Sequence, residues 1–465
     1  MIRRLGLGAA SVLVAAGLVV AAIPVSQDVI LDPSVNLTAG LGSESVVTAD
    51  VDLDGHLDIV VANNESGDVS VLWGRGDGTF EDPQNFVTGD ASGPHGLQVA
   101  DMTSDGLPDI IVSLDGTSQV ETFVQDSLRR SFNPATPAGT DFGPVALVVA
   151  DFDHDGKQDA VTANQFTLTG SISFLKGNGD GTFQDAVNYT TVGPDGSGSP
   201  SSMGAADLNG DGNLDLVVAN QDDSQIAVLL GSATGTFSAP TLFDTGDTPQ
   251  ALALGDLNID GKVDVVTAND EDDAVALLLG NGDGTFQPAT EYSVGSGSFP
   301  QVVSIWDYNL DGRPDVGVGA SLLPFDGVAV LRGDGEGNFP EPVQGFSLSD
   351  DLGPVGLATG DLNGDFKPDL VTANYEAAAE DEAVSVFFNR SNLLVGDANA
   401  DGQVTAADVD QTVEEVFDGD GSIVIQVAGG KLASGPGADG NGDTSVSAAD
   451  FVAIISILAT ASAGS

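Results

Sequence analysis

A nine-residue acidic frame returns seven times along this chain: "DVDLDGHLD" (50–58), "DMTSDGLPD" (101–109), "DFDHDGKQD" (151–159), "DLNGDGNLD" (207–215), "DLNIDGKVD" (256–264), "DYNLDGRPD" (307–315) and "DLNGDFKPD" (361–369). Successive copies begin 49 to 56 residues apart. Recurrence at so constant an interval makes the chain an array of about 50-residue units, each needing neighbours to bury its apolar faces.

The frame itself points to a cation. In the first copy Asp50, Asp52 and Asp54 occupy positions 1, 3 and 5, Gly55 the turn position 6, His56 position 7 and Asp58 position 9. A loop wrapping an ion turns alternate side chains inward, and calcium is held this way by about six to eight oxygens, one of them the backbone carbonyl of position 7. Glycine at position 6 removes the Cβ that would obstruct the turn. The same reading assigns Asp101, Thr103, Asp105 and Asp109 to the second loop, and Asp151, Asp153, Asp155 and Asp159 to the third. Asp207, Asn209, Asp211 and Asp215 form the fourth set, and Asp256, Asn258, Asp260 and Asp264 the fifth. Asp307, Asn309, Asp311 and Asp315 form the sixth, and Asp361, Asn363, Asp365 and Asp369 the seventh. Carboxylates so close repel and raise one another's pKa values unless a divalent ion neutralises them. Calcium is expected, with water completing the shell; magnesium, with its tighter octahedral demand, fits less well. Thr103 weakens the second loop, and Phe366 at the turn position should strain the seventh through a positive φ.

Each loop runs into a short β-branched stretch, as in "DIVVAN" (58–63), then a second apolar run, "VSVLWG" (69–74), a glycine-rich turn, "GRGDGTF" (74–80), and a further run, "DPQNFVTGD" (82–90). Such runs read as antiparallel strands joined by hairpins. Four strands per unit and seven units give an all-β, seven-bladed β-propeller. The seventh unit lacks its fourth strand, and "DPSVNLTAG" (32–40) resembles one. The first segment is therefore expected to complete the last blade and remove the exposed sheet edge.

These loops and strands resemble FG-GAP or VCBS-type repeats, the blades of the integrin α-subunit head, over about residues 30–391. The resemblance implies calcium in the loops beside the inner strands and a ligand docked on a propeller face. It leaves that ligand open, since such propellers serve adhesion, carbohydrate recognition and sometimes catalysis. The tripeptide Arg75–Asp77 matches an adhesion motif, but sister units carry "GNGD" in the same turn, so it reads as a turn variant.

Beyond Ser391 the pattern changes. "DANADGQVTAAD" (397–408) is a twelve-position calcium loop with Asp397, Asn399, Asp401, Thr405 and Asp408 as ligands. "DGNGDTSVSAAD" (439–450) repeats it with Asp439, Asn441, Asp443, Ser447 and Asp450, Thr444 replacing the turn glycine. Helix-like stretches follow at 409–417 and 451–459, and 418–438 reads as a linker. The pair resembles a dockerin, a small all-α, EF-hand-like domain, which implies a cohesin-like partner. Its usual recognition residues are here Ala406, Ala407, Ala448 and Ala449.

The first 22 residues carry two arginines, an apolar run and small residues near Ala21 and Ala22, the layout of a signal peptide. The expected organisation is a signal peptide at 1–22, propeller at 23–392, dockerin-like domain at 393–460 and tail at 461–465. A secreted chain often relies on disulfides, yet this one has no cysteine, so loop-bound metal is the expected stabiliser. A formal charge of −57 with only 13 Lys and Arg excludes nucleic acid as a partner, and no membrane insertion is expected after signal cleavage. Of three histidines, His56 and His154 sit inside metal loops and His95 stands alone, which argues against a Ser-His-Asp triad or a histidine-rich zinc site. The expected function is recognition of an extracellular carbohydrate or surface protein, without catalysis. A polysaccharide-active hydrolase or lyase is the alternative, needing only two carboxylates, and a purely structural surface protein is the third. Trp73 and Trp306 read as packing residues more than sugar-stacking ones.

Overall fold

The computed structural model describes residues 28–391, apart from 90, 168–169, 194–195, 321–326, 341, 349–352 and 376–382, together with 425–427 and 430–432. The signal-peptide segment, both twelve-residue loops, their helices and the tail lie outside the described residues.

Every loop joins the first two strands of an antiparallel sheet, four-stranded in every blade but the second. The first sheet holds β2 (Ser43–Ala49), β3 (Asp58–Asn63), β4 (Asp68–Leu72) and β5 (Gln84–Val87), following β1 (Val35–Leu37) in the chain. The second holds β6 (Pro94–Ala100), β7 (Asp109–Leu114) and β8 (Gln119–Gln125), with β9 (Phe132–Pro134) and β10 (Ala138–Gly139) at its edge. The third runs β11 (Pro144–Ala150), β12 (Asp159–Asn164), β13 (Ser171–Leu175), β14 (Val187–Thr190), and the fourth β15 (Pro200–Ala206), β16 (Asp215–Asn220), β17 (Gln225–Leu229), β18 (Thr241–Asp244). The fifth is β19 (Pro249–Gly255), β20 (Asp264–Asn269), β21 (Ala274–Leu278), β22 (Thr290–Ser293), and the sixth β23 (Pro300–Trp306), β24 (Asp315–Ala320), β25 (Gly327–Leu331), β26 (Gln344–Ser347). The seventh is β27 (Pro354–Gly360), β28 (Asp369–Asn374) and β29 (Val384–Phe387), closed by β1 from the other end of the chain, with Val35 opposite Val386 and Leu37 opposite Val384. The innermost strands β2, β6, β11, β15, β19, β23 and β27 pack against one another in that order, and β27 returns to β2. This is a closed seven-bladed propeller.

The strands differ in composition because they differ in what covers them. Every second strand is buried at all six positions, with a neighbouring blade on each face. Outer strands such as β5 and β14 are largely exposed. The core is divided into seven apolar clusters, one at each blade interface, as with Val60, Val71, Ile110 and Phe123 between the first two blades.

Two local readings are corrected. The outer strand of the second blade is not continuous: β9 and β10 each pair with β8, and Pro134 and Pro137 separate them. Proline donates no ladder hydrogen bond and is confined to such edges. Within the segment read as a linker, Ile425–Val427 (β30) and Gly430–Leu432 (β31) pair as an antiparallel hairpin.

Candidate functional site

The acidic loops share one geometry. The position-1 aspartate accepts the position-5 amide on Oδ1 and the position-6 amide on Oδ2, as Asp50 does from Asp54 (3.0 Å) and Gly55 (2.9 Å). Asp101, Asp151, Asp207, Asp256 and Asp361 repeat the pair. The position-3 side chain caps the position-5 amide from Asp52, Asp153, Asn209, Asn258, Asn309 and Asn363. Position 5 caps the position-7 amide, from Asp54 to the amide of His56 and equivalently from Asp105, Asp155, Asp211, Asp260 and Asp365. Position 4 is left-handed in every copy, from φ 56° at Ile259 to 75° at Gly364. These turns gather the oxygens. Ligand atoms of Asp50, Asp52 and Asp54 lie within 4.8 Å of one another, as do those of Asp151, Asp153 and Asp159.

Position 9 does something the sequence reading missed. Asp58, Asp109, Asp159, Asp215, Asp264, Asp315 and Asp369 are fully buried. In each, one carboxylate oxygen accepts the position-2 amide and the other the amide of a residue at or just past the end of the third strand, such as Gln125, Gly74 or Gly280, at 2.7–3.1 Å. Burial pushes the Asp58, Asp109 and Asp159 carboxyls up to about 6 and Asp369 to about 7, against the lowering effect of those amides.

Position 2 was also missed. Val51, Met102, Phe152, Leu208, Leu257, Tyr308 and Leu362 each enter the apolar cluster shared with the next blade. Their carbonyls reach across too: Gly78 N donates to Leu362 O (3.1 Å), Gly284 N to Leu208 O (3.2 Å), Gln125 Nε2 to Val51 O (2.8 Å) and Asn389 Nδ2 to Tyr308 O (2.8 Å). Each of these loops is therefore a joint between blades. The signal was present as an apolar residue at position 2 of all seven frames.

The oxygens are of the hard type a calcium ion takes, and the second loop leaves one of them unspent. Thr103 Oγ1 is buried without a hydrogen-bond partner, at the position where its sister loops place an Asp or Asn oxygen. The seventh loop keeps the same capping despite Phe366, whose amide donates to Asp361 Oδ2 (2.8 Å) at φ 63° with the ring exposed. A left-handed L-residue costs about 1–2 kcal/mol. Phe366→Gly is expected to stabilise the protein by about 1 kcal/mol in urea titration. The tip of the sixth loop, Asn309–Gly312, falls outside the propeller's compact unit, Val29–Tyr308 with Arg313–Arg390.

A second feature lies where the innermost strands begin. Residues from all seven line a cavity of about 310 Å³ at the central channel. The second residue of each strand sets its rim: Glu44, His95, Ser201, Gln250 and Gln301, interrupted by Val145 and Val355. His95 Nε2 lies 3.7 Å from Glu44 Oε2. Burial, reinforced by Asp115 and Glu65, pushes the Glu44 carboxyl up to about 7, and burial lowers His95. Gln250 donates to Asp270 Oδ2 (3.3 Å), leaving Asp270 Oδ1 buried without a partner. The sequence hint was a proline opening six of these strands, followed by a residue that changes from blade to blade.

The remaining candidates resolve simply. Asp77 spends its carboxylate on the amide (3.0 Å) and hydroxyl (2.6 Å) of Thr79, as Asp180 and Asp283 do on Thr182 and Thr285. Arg75–Asp77 is thus a turn shared with its sisters. Trp73 is buried and donates to Gln84, whereas Trp306 is 50 % exposed, so packing accounts for the first alone. Glu121 is 7 % exposed with Oε2 unpartnered, and burial raises its carboxyl to about 7. A folded pKa above the unfolded value gives stability below about pH 4.5 that is lost as pH rises through 7. Glu121→Gln should therefore raise stability at pH 8 by about 2–3 kcal/mol, with no gain at pH 4, in melts across that range.

The FG-GAP-like repeat family matches the chain in five overlapping segments, 50–112, 104–162, 151–218, 207–267 and 256–318, and the FG-GAP repeat matches 353–387. The chain belongs to the FG-GAP-like repeat family. This FG-GAP-like protein matches no curated protein. Among solved structures, virginiamycin B lyase from Staphylococcus aureus is similar at TM-score 0.53 and 11% identity, covering 77% of this chain and 99% of that one. BBS1N in complex with ARL6DN is similar at TM-score 0.51 and 15% identity, covering 79% and 97%. A functionally unknown protein from Desulfotomaculum acetoxidans DSM 771 is similar at TM-score 0.50 and 12% identity, covering 72% and 92%. At such identities the likeness concerns the fold.

Proposed function

We propose that this FG-GAP-like propeller is a secreted, calcium-binding recognition protein whose ligand, an extracellular carbohydrate or surface protein, docks over the mouth of the central channel. The observation that carries the docking site is the rim of Glu44, His95, Ser201, Gln250 and Gln301 around a cavity of about 310 Å³. It is concave, polar and contributed by several blades, as recognition sites are. Calcium fits the loops, where it would hold adjacent blades in register around that rim. The paired loops at 397–408 and 439–450 would bind calcium as a dockerin-like module and attach the propeller to a cohesin-like partner.

The test is a polysaccharide and matrix-protein panel probed with the full chain in calcium and in chelator. Saturable binding of unchanged ligand, weakened at least tenfold in Glu44→Gln with His95→Ala, supports the reading. Binding indifferent to both substitutions overturns the channel as the site. The Glu44–His95 pair also favours a second reading, since a carboxyl and an imidazole 3.7 Å apart leave room for a bridging water or substrate hydroxyl to exchange a proton with either. Cut chains that disappear in Glu44→Gln would establish an enzyme.

A further inference from the structure

The first and third loops hold a cation supplied by the protein on their position-3 aspartates. Position 3 is Asp in the first and third loops, Thr in the second and Asn in the other four. The first and third sets therefore carry one more carboxylate than the rest. In both, a basic group from outside the loop sits on the side chains at positions 3 and 5. Lys176 Nζ pairs with Asp153 and lies 3.1 Å from Asp155 Oδ2. Arg130 Nε pairs with Asp52, and its Nη2 lies 3.5 Å from Asp54 Oδ2. Asp52 and Asp153 have side chains only 6% and 8% exposed, so these are not solvated surface pairs.

The two cations arrive by different routes. Lys176 stands just before Gly177, past the third strand of its own blade. The same register is Trp73 in the first blade, Leu230, Leu279 and Phe388 in the fourth, fifth and seventh, and Arg332 in the sixth. Where the first blade has a tryptophan, the second blade supplies the charge, with Arg130 lying over the Trp73 ring at 4.8 Å. Arg129 and Arg130 both adopt positive φ, 54° and 53°, in a hairpin tip fixed by Asp126, which accepts from Leu128 N (2.8 Å) and Ser131 Oγ (2.9 Å). Arg129 Nη1 adds hydrogen bonds to Asp52 O (2.7 Å) and Leu53 O (3.0 Å).

We infer that Arg130 and Lys176 are built-in counter-cations of the first and third loops, which keep those loops formed without metal and must be displaced when calcium enters. The inference rests on the calcium reading of the loops. An oxygen engaged by an ammonium or guanidinium has to break that pair to ligate an ion. The first and third loops consequently bind calcium more weakly than they would without these two side chains.

The test is calcium titration of the full chain by calorimetry and flow dialysis, comparing the unmodified protein with Lys176→Met and Arg130→Met. Each substitution should tighten one site about tenfold, lower the melting temperature in chelator, and leave it near the unmodified value in saturating calcium. Lys176→Arg should restore the weaker binding. Calcium uptake by the unmodified chain that is unchanged or weakened in both variants overturns this inference and leaves the calcium reading standing. No uptake by any form overturns both. A variant that melts early in chelator is still read by its calcium-loaded titration.

Discussion

Adding a chelator to the full chain in saturating calcium is expected to lower the propeller's melting temperature by roughly 20 °C. An ion present at a hundred times its Kd stabilises the folded state by about 2.7 kcal/mol per site. Seven sites together rival the whole stability of an ordinary domain, about 5–15 kcal/mol. For a unit of this size the unfolding entropy, about 2.1 cal/mol/K per residue, converts that sum into roughly 20 °C. The residues make the expectation specific. No disulfide is available, the chain carries a formal charge of −57, and the loops that gather carboxylates also fasten each blade to the next. Differential scanning calorimetry in calcium, magnesium and chelator checks it, with magnesium restoring less than calcium. A melting temperature within a few degrees of the calcium value in chelator would remove metal from the account of stability.

Phe152→Ala should cost about 4 kcal/mol, in calcium and in chelator alike. Phe152 is the position-2 residue of the third loop, 2% exposed, and it packs edge-on against Phe174 of its own blade at 6.1 Å and Phe237 of the next at 5.7 Å. Truncation removes a large apolar side chain and opens a cavity between two rigid sheets that cannot close over it. Phe152→Leu should recover more than half of the loss. Equal costs in both metal states distinguish packing from ligation, because a metal-ligand substitution loses its effect once the ion is gone. Urea titration of both variants gives the numbers.

The repeat, the loops and the closing of the ring were legible because each rests on a local pattern or on the likeness of one segment to another. A nine-residue frame at a fixed interval declares itself, and the resemblance of 32–40 to a fourth strand foretold the pairing of Val35 with Val386. What was not legible depends on contacts across space. Asp58 and its equivalents look like one more carboxylate in an acidic string, and only the folded chain shows them clasping a backbone amide more than a dozen residues away. Arg130 lies 78 positions from Asp52, in the one hairpin that departs from the glycine-rich turn of its sisters. The channel rim escaped notice for the opposite reason: its residues vary between repeats, and a search for what recurs passes over what varies.

The pairing of β1 with β29 sets an order on assembly. Val35 and Val386 must find each other from opposite ends of the propeller, the most costly loop closure in the fold. Contacts this distant form late and slowly. A chain emerging from its amino end can stack blade on blade, yet it keeps an open edge at both ends until the last strand is free. Circular permutants that place both ends between intact blades should therefore fold faster than the natural chain while melting at a similar temperature. The seam between first and last strand is where unfolding under load would begin.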